Sequence, residues 1–129
     1  MFLGFGSADI LLIDDDTSLQ RLAKACLEGY GKVKISPALN GLDGISMAIT
    51  NKPDLIILDW VLPDIQGPEI LSELKGHKVT CDIPVLMLTG RNKVGEIETV
   101  FDLGADAYLT KPFSLRKLSE LVKKILSGS

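Results

Sequence analysis

Five short runs of aliphatic residues, separated by longer segments, constrain the fold of this chain more than any other feature of its sequence. Most are nearly unbroken rather than alternating with polar residues, which is typical of strands buried on both faces of a sheet. They are DILLID, KVKIS, DLIILD, PVLMLT and DAYLT, at residues 9–14, 32–36, 54–59, 84–89 and 106–110.

The segments between these runs carry apolar residues at helical spacing. The stripe of the first predicted helix consists of Leu19, Leu22, Ala23, Cys26 and Leu27. The stripe of the last consists of Leu118, Leu121, Val122, Ile125 and Leu126. A weaker pattern, Leu42, Ile45 and Ile49, predicts the second helix. Strand and helix alternate five times, so the sequence predicts a doubly wound α/β domain in which helices cover both faces of a five-stranded parallel sheet.

Composition excludes several classes of function. The chain has 129 residues and a net charge of -3, and its basic residues form no stripe, so we expect no direct contact with nucleic acid. No apolar run approaches the ~20 residues of a membrane span, and the expected location is the cytoplasm. Cys26 and Cys81 lack metal-ligand spacing and are expected to be reduced, small core residues.

Polar residues follow four of the five predicted strands. Asp14 and Asp15 end the first, Asp59 the third and Thr89 the fourth, while Lys111 follows the fifth. The carboxyl ends of the strands are where doubly wound sheets bind ligands. We therefore expect these five residues to share one edge of the sheet.

Three carboxylates in one cleft repel one another unless a cation neutralises them. Oxygen ligands without histidine or cysteine favour Mg²⁺. An aspartate beside that ion can act as a nucleophile and form an acyl phosphate, with Lys111 and Thr89 offsetting the charge on the phosphoryl oxygens. The structural alternative, acids that cap a helix N-terminus, is accepted for Asp16 alone.

Four segments, in this order, carry a resemblance to a known family: ILLIDDD, DLIILDWVLPDIQG, VLMLTG and GADAYLTKPF. Together they resemble the receiver domain of two-component response regulators, over about residues 9–126. The resemblance implies a flavodoxin-like sheet of strand order 2-1-3-4-5. It also implies that residues 1–129 form one receiver domain, with a short extension at 1–8.

The resemblance implies a role for each residue of the cleft. Asp59 would accept a phosphoryl group from a histidine kinase or a histidine phosphotransfer protein. Asp15, Asp59 and the Val61 carbonyl would bind Mg²⁺ directly, and Asp14 would act through a bound water. Thr89 would hold a phosphoryl oxygen. The domain would then be a switch that catalyses its own phosphorylation and dephosphorylation, rather than a turnover enzyme.

Two further features follow from the resemblance. Lys111 would pair with the phosphate, and the Lys111–Pro112 peptide bond would be cis. Tyr108 would couple the cleft to the surface of helix four, strand five and helix five, which would act on a partner or an attached effector domain. The domain would be a monomer or a phosphorylation-linked dimer, although Ala107 and Lys117 depart from the pattern of winged-helix regulators.

Two variable positions of the family, occupied here by Val61 and Arg91, tune how long the phosphate survives. Val61 has no polar group to orient a water, so we expect a long-lived phosphoryl group. The same residue argues against an independent phosphohydrolase, which needs a second acid there. A receiver-like interaction module without phosphorylation is the remaining alternative, but such modules typically lose the acceptor, the acid pair or the lysine.

Overall fold

The computed structural model describes residues 7–29, 32–90 and 94–128. Strands and helices alternate along the described chain. The strands are β1 (Ala8–Ile13), β2 (Val33–Ala38), β3 (Leu55–Asp59), β4 (Val85–Thr89) and β5 (Ala107–Thr110). The helices are α1 (Thr17–Glu28), α2 (Gly41–Asn51), α3 (Gly67–Gly76), α4 (Val94–Asp102) and α5 (Leu115–Leu126).

The five strands form one parallel sheet in the order β2-β1-β3-β4-β5, which confirms the predicted fold. Every residue of β3 and β4 is buried, as the unbroken aliphatic runs indicated. β2 extends two residues further than predicted and includes Pro37. Proline is tolerated there because β2 lies at an edge of the sheet.

Each face of the sheet has its own hydrophobic core. On one face, Leu12 and Ile57 belong to a cluster with residues of α1 and α5. On the other, Leu58 and Met87 belong to a cluster with residues of α2, α3 and α4. No helix among the described residues is long and apolar enough to cross a membrane.

The buried face of α1 agrees with the predicted stripe except at one position, and it also includes a glutamine. Leu22 is 54% exposed, whereas Gln20, Ala23 and Leu27 are buried. These three lie at i, i+3 and i+7, and the predicted Leu19 packs against the same hydrophobic core. Aliphatic periodicity predicted the buried Ala23 and Leu27 correctly, but it included the exposed Leu22 and missed the buried Gln20.

The fully buried positions of α2 are small residues, and only one of the three predicted apolar residues is exposed. Gly41, Gly44 and Ala48 face the core, and Leu42 is 60% exposed. A Cβ atom added at Gly44 would lie 2.6 Å from Cδ1 of Ile13, so close packing on the sheet requires small residues. The helix exists as predicted, and the predicted Ile45 packs partly against the core beside these small residues, whereas Leu42 does not.

The two cysteines are free, and both are half-buried. Their placement as core residues was therefore wrong. Cys26 lies beside the α5 start, where its Sγ is 4.0 Å from the Leu115 carbonyl oxygen. Cys81 belongs to the loop that leads to β4.

Candidate functional site

The sheet brings the predicted polar residues to its carboxyl edge. Asp14 follows β1, Asp59 ends β3, Thr89 ends β4 and Lys111 follows β5. Asp14, Asp59 and Thr89 are buried, whereas Asp15 is exposed. Residues that are far apart in sequence thus form one cleft, open to solvent on the side of Asp15.

Lys111 bridges two of the acids. Its Nζ lies 3.2 Å from Oδ2 of Asp14 and 3.2 Å from Oδ1 of Asp59. The other oxygen of Asp14 accepts a hydrogen bond of 2.9 Å from the Asp16 amide. The Lys111–Pro112 peptide bond is cis.

The three acids of the cleft fit a hard divalent cation. Asp14, Asp15 and Asp59 each offer a carboxylate oxygen, and these oxygens lie within 4.8 Å of one another. Lys111 supplies one positive charge against three negative ones. An all-oxygen donor set that is open on one side and carries excess negative charge is typical of Mg²⁺ sites.

The charges in the cleft move the pKa values of two groups. Burial and the neighbouring Asp14 carboxylate raise the pKa of Asp59 above its usual value, against the opposing attraction of Lys111. Burial alone would lower the pKa of Lys111, but Asp14 and Asp59 together raise it. Lys111 is therefore a firmly charged cation, while the acids carry more negative charge than it neutralises.

The backbone around Asp59 is held by a close contact with α3. The Gly67 amide donates a hydrogen bond of 2.7 Å to the Trp60 carbonyl. A Cβ atom at Gly67 would lie 2.5 Å from the carbonyl oxygen of Asp59 and 2.8 Å from Cα of Trp60. Only glycine permits this approach, so Gly67 has a structural role beside β3.

Asp64 is a site residue that sequence reasoning missed. Its carboxylate accepts hydrogen bonds from the amides of Gly41, Leu42 and Ile65, at 2.8, 2.9 and 2.8 Å. The bonds from Gly41 and Leu42 are the main reason that the pKa of Asp64 is lowered. Asp64 thus ties the loop after Asp59 to the start of α2. An aspartate in a loop gives no sequence signal of which helix it caps.

The three acids that follow β1 have different roles. Oδ1 of Asp16 accepts hydrogen bonds from the amides of Ser18 and Leu19, so Asp16 caps α1, as predicted. Asp14 and Asp15 instead belong to the metal-type cluster.

Gln20 is the second residue that sequence reasoning missed. Its amide nitrogen lies 2.9 Å from the Leu12 carbonyl oxygen, 3.0 Å from that of Asp14 and 3.4 Å from that of Ala38. The sequence does carry a signal for its burial. Gln20 lies three residues before Ala23 and seven before Leu27, which places it on the same face of the helix as these two buried residues.

Three further residues were predicted to act on the site. Val61 is 56% exposed. The ring of Tyr108, on β5, packs edge-on against Phe101 of α4, with centroids 5.6 Å apart and an interplanar angle of 79°. Arg91 lies outside the described residues.

Fold and site together define a class: flavodoxin-like α/β domains with an acidic cation cleft at the carboxyl edge of the sheet. Residues 10–123 match the family described as "Response regulator receiver domain". The chain belongs to this family.

Curated relatives agree with the assignment. The chain is 39% identical over 117 residues to the DNA-binding dual master transcriptional regulator RpaA of Synechocystis sp., covering 91% of this chain and 48% of that protein. It is 40% identical over 120 residues to the alkaline phosphatase synthesis transcriptional regulatory protein PhoP of Bacillus subtilis, covering 93% and 49%. The chain thus spans about half the length of the curated relatives it matches.

Solved structures match over nearly the whole chain. A two-component response regulator from Clostridium difficile has a TM-score of 0.86 at 33% identity, covering 94% of this chain and 97% of that one. A response regulator receiver domain protein from Methanospirillum hungatei also has a TM-score of 0.86, at 31% identity, covering 95% and 96%.

Proposed function

We propose that this domain is a phosphorylation-dependent signalling switch in which Asp59 accepts a phosphoryl group from a histidine kinase or a histidine phosphotransfer protein. The observation that carries the proposal is the cluster of Asp14, Asp15, Asp59 and Lys111 at one edge of the sheet. Membership of the receiver family supports phosphorylation-dependent signalling in general.

The proposed step is an in-line transfer to the Asp59 carboxylate. One Asp59 oxygen forms the new bond to phosphorus while the bond from phosphorus to the donor nitrogen breaks, and that nitrogen retains the electron pair and takes up a proton. Lys111 is 3.2 Å from Asp59 and can pair with the developing charge on the phosphoryl oxygens. The buried Thr89 would hold a second phosphoryl oxygen.

Mg²⁺ is the proposed cofactor. Asp15, Asp59 and the Val61 carbonyl would hold it directly, and Asp14 would act through a water. When bound, the ion would neutralise the excess charge of the acids and of the incoming phosphoryl group. The three carboxylate oxygens within 4.8 Å of one another support this assignment.

The experiment is incubation with Mg²⁺ and acetyl phosphate, read as intact mass. We expect a gain of one phosphoryl group that disappears with Asp59→Asn and with a chelator. Asp106→Asn, a substitution at the other end of the sheet, is the matched control and should retain the gain. A wild-type chain that takes up no phosphoryl group would favour the alternative, a receiver-like interaction module.

The output of the switch is proposed to be the surface of α4, β5 and α5, reached through Thr89 and Tyr108. Tyr108 lies on β5 and packs on Phe101 of α4, so a movement of its ring would alter this surface. The transcriptional regulators among the relatives are about twice as long as this chain, so the partner is proposed to be an attached effector domain or a separate protein. A phosphorylation-linked dimer, the cytoplasmic location and the absence of direct nucleic-acid contact stay predictions.

The phosphoryl group should be long-lived. Val61 is more than half exposed beside the acceptor and has no polar group that could orient a water for attack. Val61→Asn supplies such a group and is expected to shorten the half-life of the phosphorylated protein several-fold, measured by the loss of the added mass after removal of acetyl phosphate. An unchanged half-life would remove Val61 from the account of phosphoryl lifetime.

A further inference from the structure

We propose that Gln20 is a positioning residue of the acidic cleft. Its side-chain amide would fix the backbone from which Asp14 and Asp15 project, and would thereby set the affinity of the cleft for a divalent cation. This inference rests on the proposed function only for the identity of the cation, Mg²⁺.

The amide of Gln20 contacts the backbone where two strands end. Nε2 lies 2.9 Å from the Leu12 carbonyl oxygen and 3.0 Å from that of Asp14, and Ala38, the last residue of β2, is at 3.4 Å. An amide group has two N–H donors, which match the two shorter contacts. Gln20 therefore links α1 to the end of β1.

The contact with Asp14 bears directly on the cleft. The Asp14 carbonyl and the Asp15 amide belong to one planar peptide unit. Holding that carbonyl fixes the direction in which both side chains leave the backbone. The Ala38 carbonyl already accepts a hydrogen bond of 3.0 Å from the Asp14 amide, so the same short segment is held from two sides.

The packing of Gln20 indicates that these donor contacts matter. The residue is only 7% exposed, on the face of α1 that also buries Ala23 and Leu27. Its Oε1 is buried and accepts no hydrogen bond from the described residues. A buried acceptor without a partner destabilises the folded state. An apolar side chain of similar length would avoid that cost, but it would release the Asp14 carbonyl.

The test compares two variants that each lose a buried side-chain group that donates hydrogen bonds to the backbone. Gln20→Met keeps the length of the side chain and removes the amide. The control is Thr80→Val, because the buried Thr80 hydroxyl donates a hydrogen bond of 2.6 Å to the Leu74 carbonyl near the opposite end of the sheet. Mg²⁺ alone is the ligand, and its dissociation constant is measured by calorimetry and by the fluorescence of Trp60, the single tryptophan. The free energy of unfolding of each variant is measured in urea.

We expect Gln20→Met to weaken Mg²⁺ binding about tenfold, as removal of outer-shell partners commonly does. Thr80→Val should lower the free energy of unfolding but bind Mg²⁺ like the wild type. The rate of phosphoryl uptake by Gln20→Met should recover at saturating Mg²⁺, because Asp59, Thr89 and Lys111 are intact. Wild-type Mg²⁺ affinity in Gln20→Met, or equal weakening in both variants, would overturn the proposal.

A milder variant covers the case in which Gln20→Met does not fold. Gln20→Asn keeps a buried amide but withdraws it by one methylene, and we expect weaker Mg²⁺ binding there too. A wild type that binds Mg²⁺ but takes up no phosphoryl group would contradict the proposed function and leave the role of Gln20 standing. A wild type that does both, with normal Mg²⁺ binding in the glutamine variants, would contradict only the role of Gln20.

Discussion

A lysine forms ion pairs at each end of the parallel sheet, with one carboxylate at the amino end and with two at the carboxyl end. At the amino end, Nζ of Lys75 lies 3.3 Å from Oδ2 of Asp106 and donates a hydrogen bond of 2.8 Å to the Ile83 carbonyl. The same Asp106 oxygen accepts a hydrogen bond of 2.8 Å from the Val85 amide. One positive charge meets one negative charge, and both groups also bind the backbone around β4.

At the carboxyl end the charges do not balance. Lys111 bridges Asp14 and Asp59, and Asp15 completes a cluster of three acids around one lysine. The balanced pair stabilises the loops at its end of the sheet. Burial, and then the neighbouring Asp14 carboxylate, raise the pKa of Asp59. The excess of negative charge in the cluster favours the binding of a cation. A lysine beside carboxylates thus forms a structural ion pair where the charges balance and a candidate reactive site where negative charge is in excess.

The largest effect expected from the comparison is on phosphoryl uptake. Lys111→Met should slow the uptake about 100-fold at saturating Mg²⁺, because it removes a cation aimed at the developing charge. Lys75→Met should leave the rate within about twofold of the wild type, since the distant site is independent. The rates are measured from the mass gain with acetyl phosphate over time. Equal slowing by both variants would contradict the claim that only the lysine at the carboxyl end acts in phosphoryl uptake.

The second prediction concerns α3, which begins at the carboxyl edge and ends toward the amino edge. Gly67→Ala should cost about 2 kcal/mol of unfolding free energy, because the added Cβ would collide with the backbone of Asp59 and Trp60. The control is Gly76→Ala at the other end of the helix, where an added Cβ meets nothing within 4 Å. Urea denaturation measures both. A Gly67→Ala protein as stable as Gly76→Ala would show that the backbone at Asp59 yields easily.

The smallest predicted effects have opposite signs at the two ends. In the presence of a chelator, Asp59→Asn should raise the melting temperature at neutral pH, because it relieves repulsion among the acids. Asp106→Asn should lower the melting temperature, because it weakens the ion pair with Lys75. The loss of unfolding free energy should be about 1 kcal/mol or less, because this pair is partly exposed. Thermal melts monitored by circular dichroism measure both shifts. A fall in melting temperature for Asp59→Asn would contradict the picture of excess negative charge.

The raised pKa of Asp59 also predicts how the stability of the domain depends on pH. Because the pKa of Asp59 is raised on folding, the native state binds more protons than the unfolded state between pH 3.8 and the native pKa. The contribution of Asp59 to the free energy of unfolding therefore falls as the pH rises through that window. Asp59→Asn should remove this part of the slope, as measured by urea denaturation at several pH values in chelator. An unchanged slope would assign the pH dependence to other groups.

The sequence predicted the sheet and the composition of the cleft because both depend on local patterns. Buried parallel strands are unbroken aliphatic runs, and the residues that end them meet at one edge in any doubly wound sheet. The burial of Gln20 and Gly44 was not predictable in the same way, since Gln20 depends on backbone carbonyls and Gly44 on the Ile13 side chain, which no local pattern reveals. Asp64 was missed for the same reason, because its partners Gly41 and Leu42 lie far from it in sequence.

The central claim is that Asp59, and not another acid of the cleft, carries the phosphoryl group. Borohydride reduces an acyl phosphate to an alcohol and would convert a phosphorylated aspartate to homoserine. Peptide mapping by mass spectrometry after treatment with Mg²⁺, acetyl phosphate and borohydride should therefore find homoserine at position 59 alone, and none when Mg²⁺ is chelated. Homoserine at position 14 or 15, or at no position in a folded protein, would contradict the account.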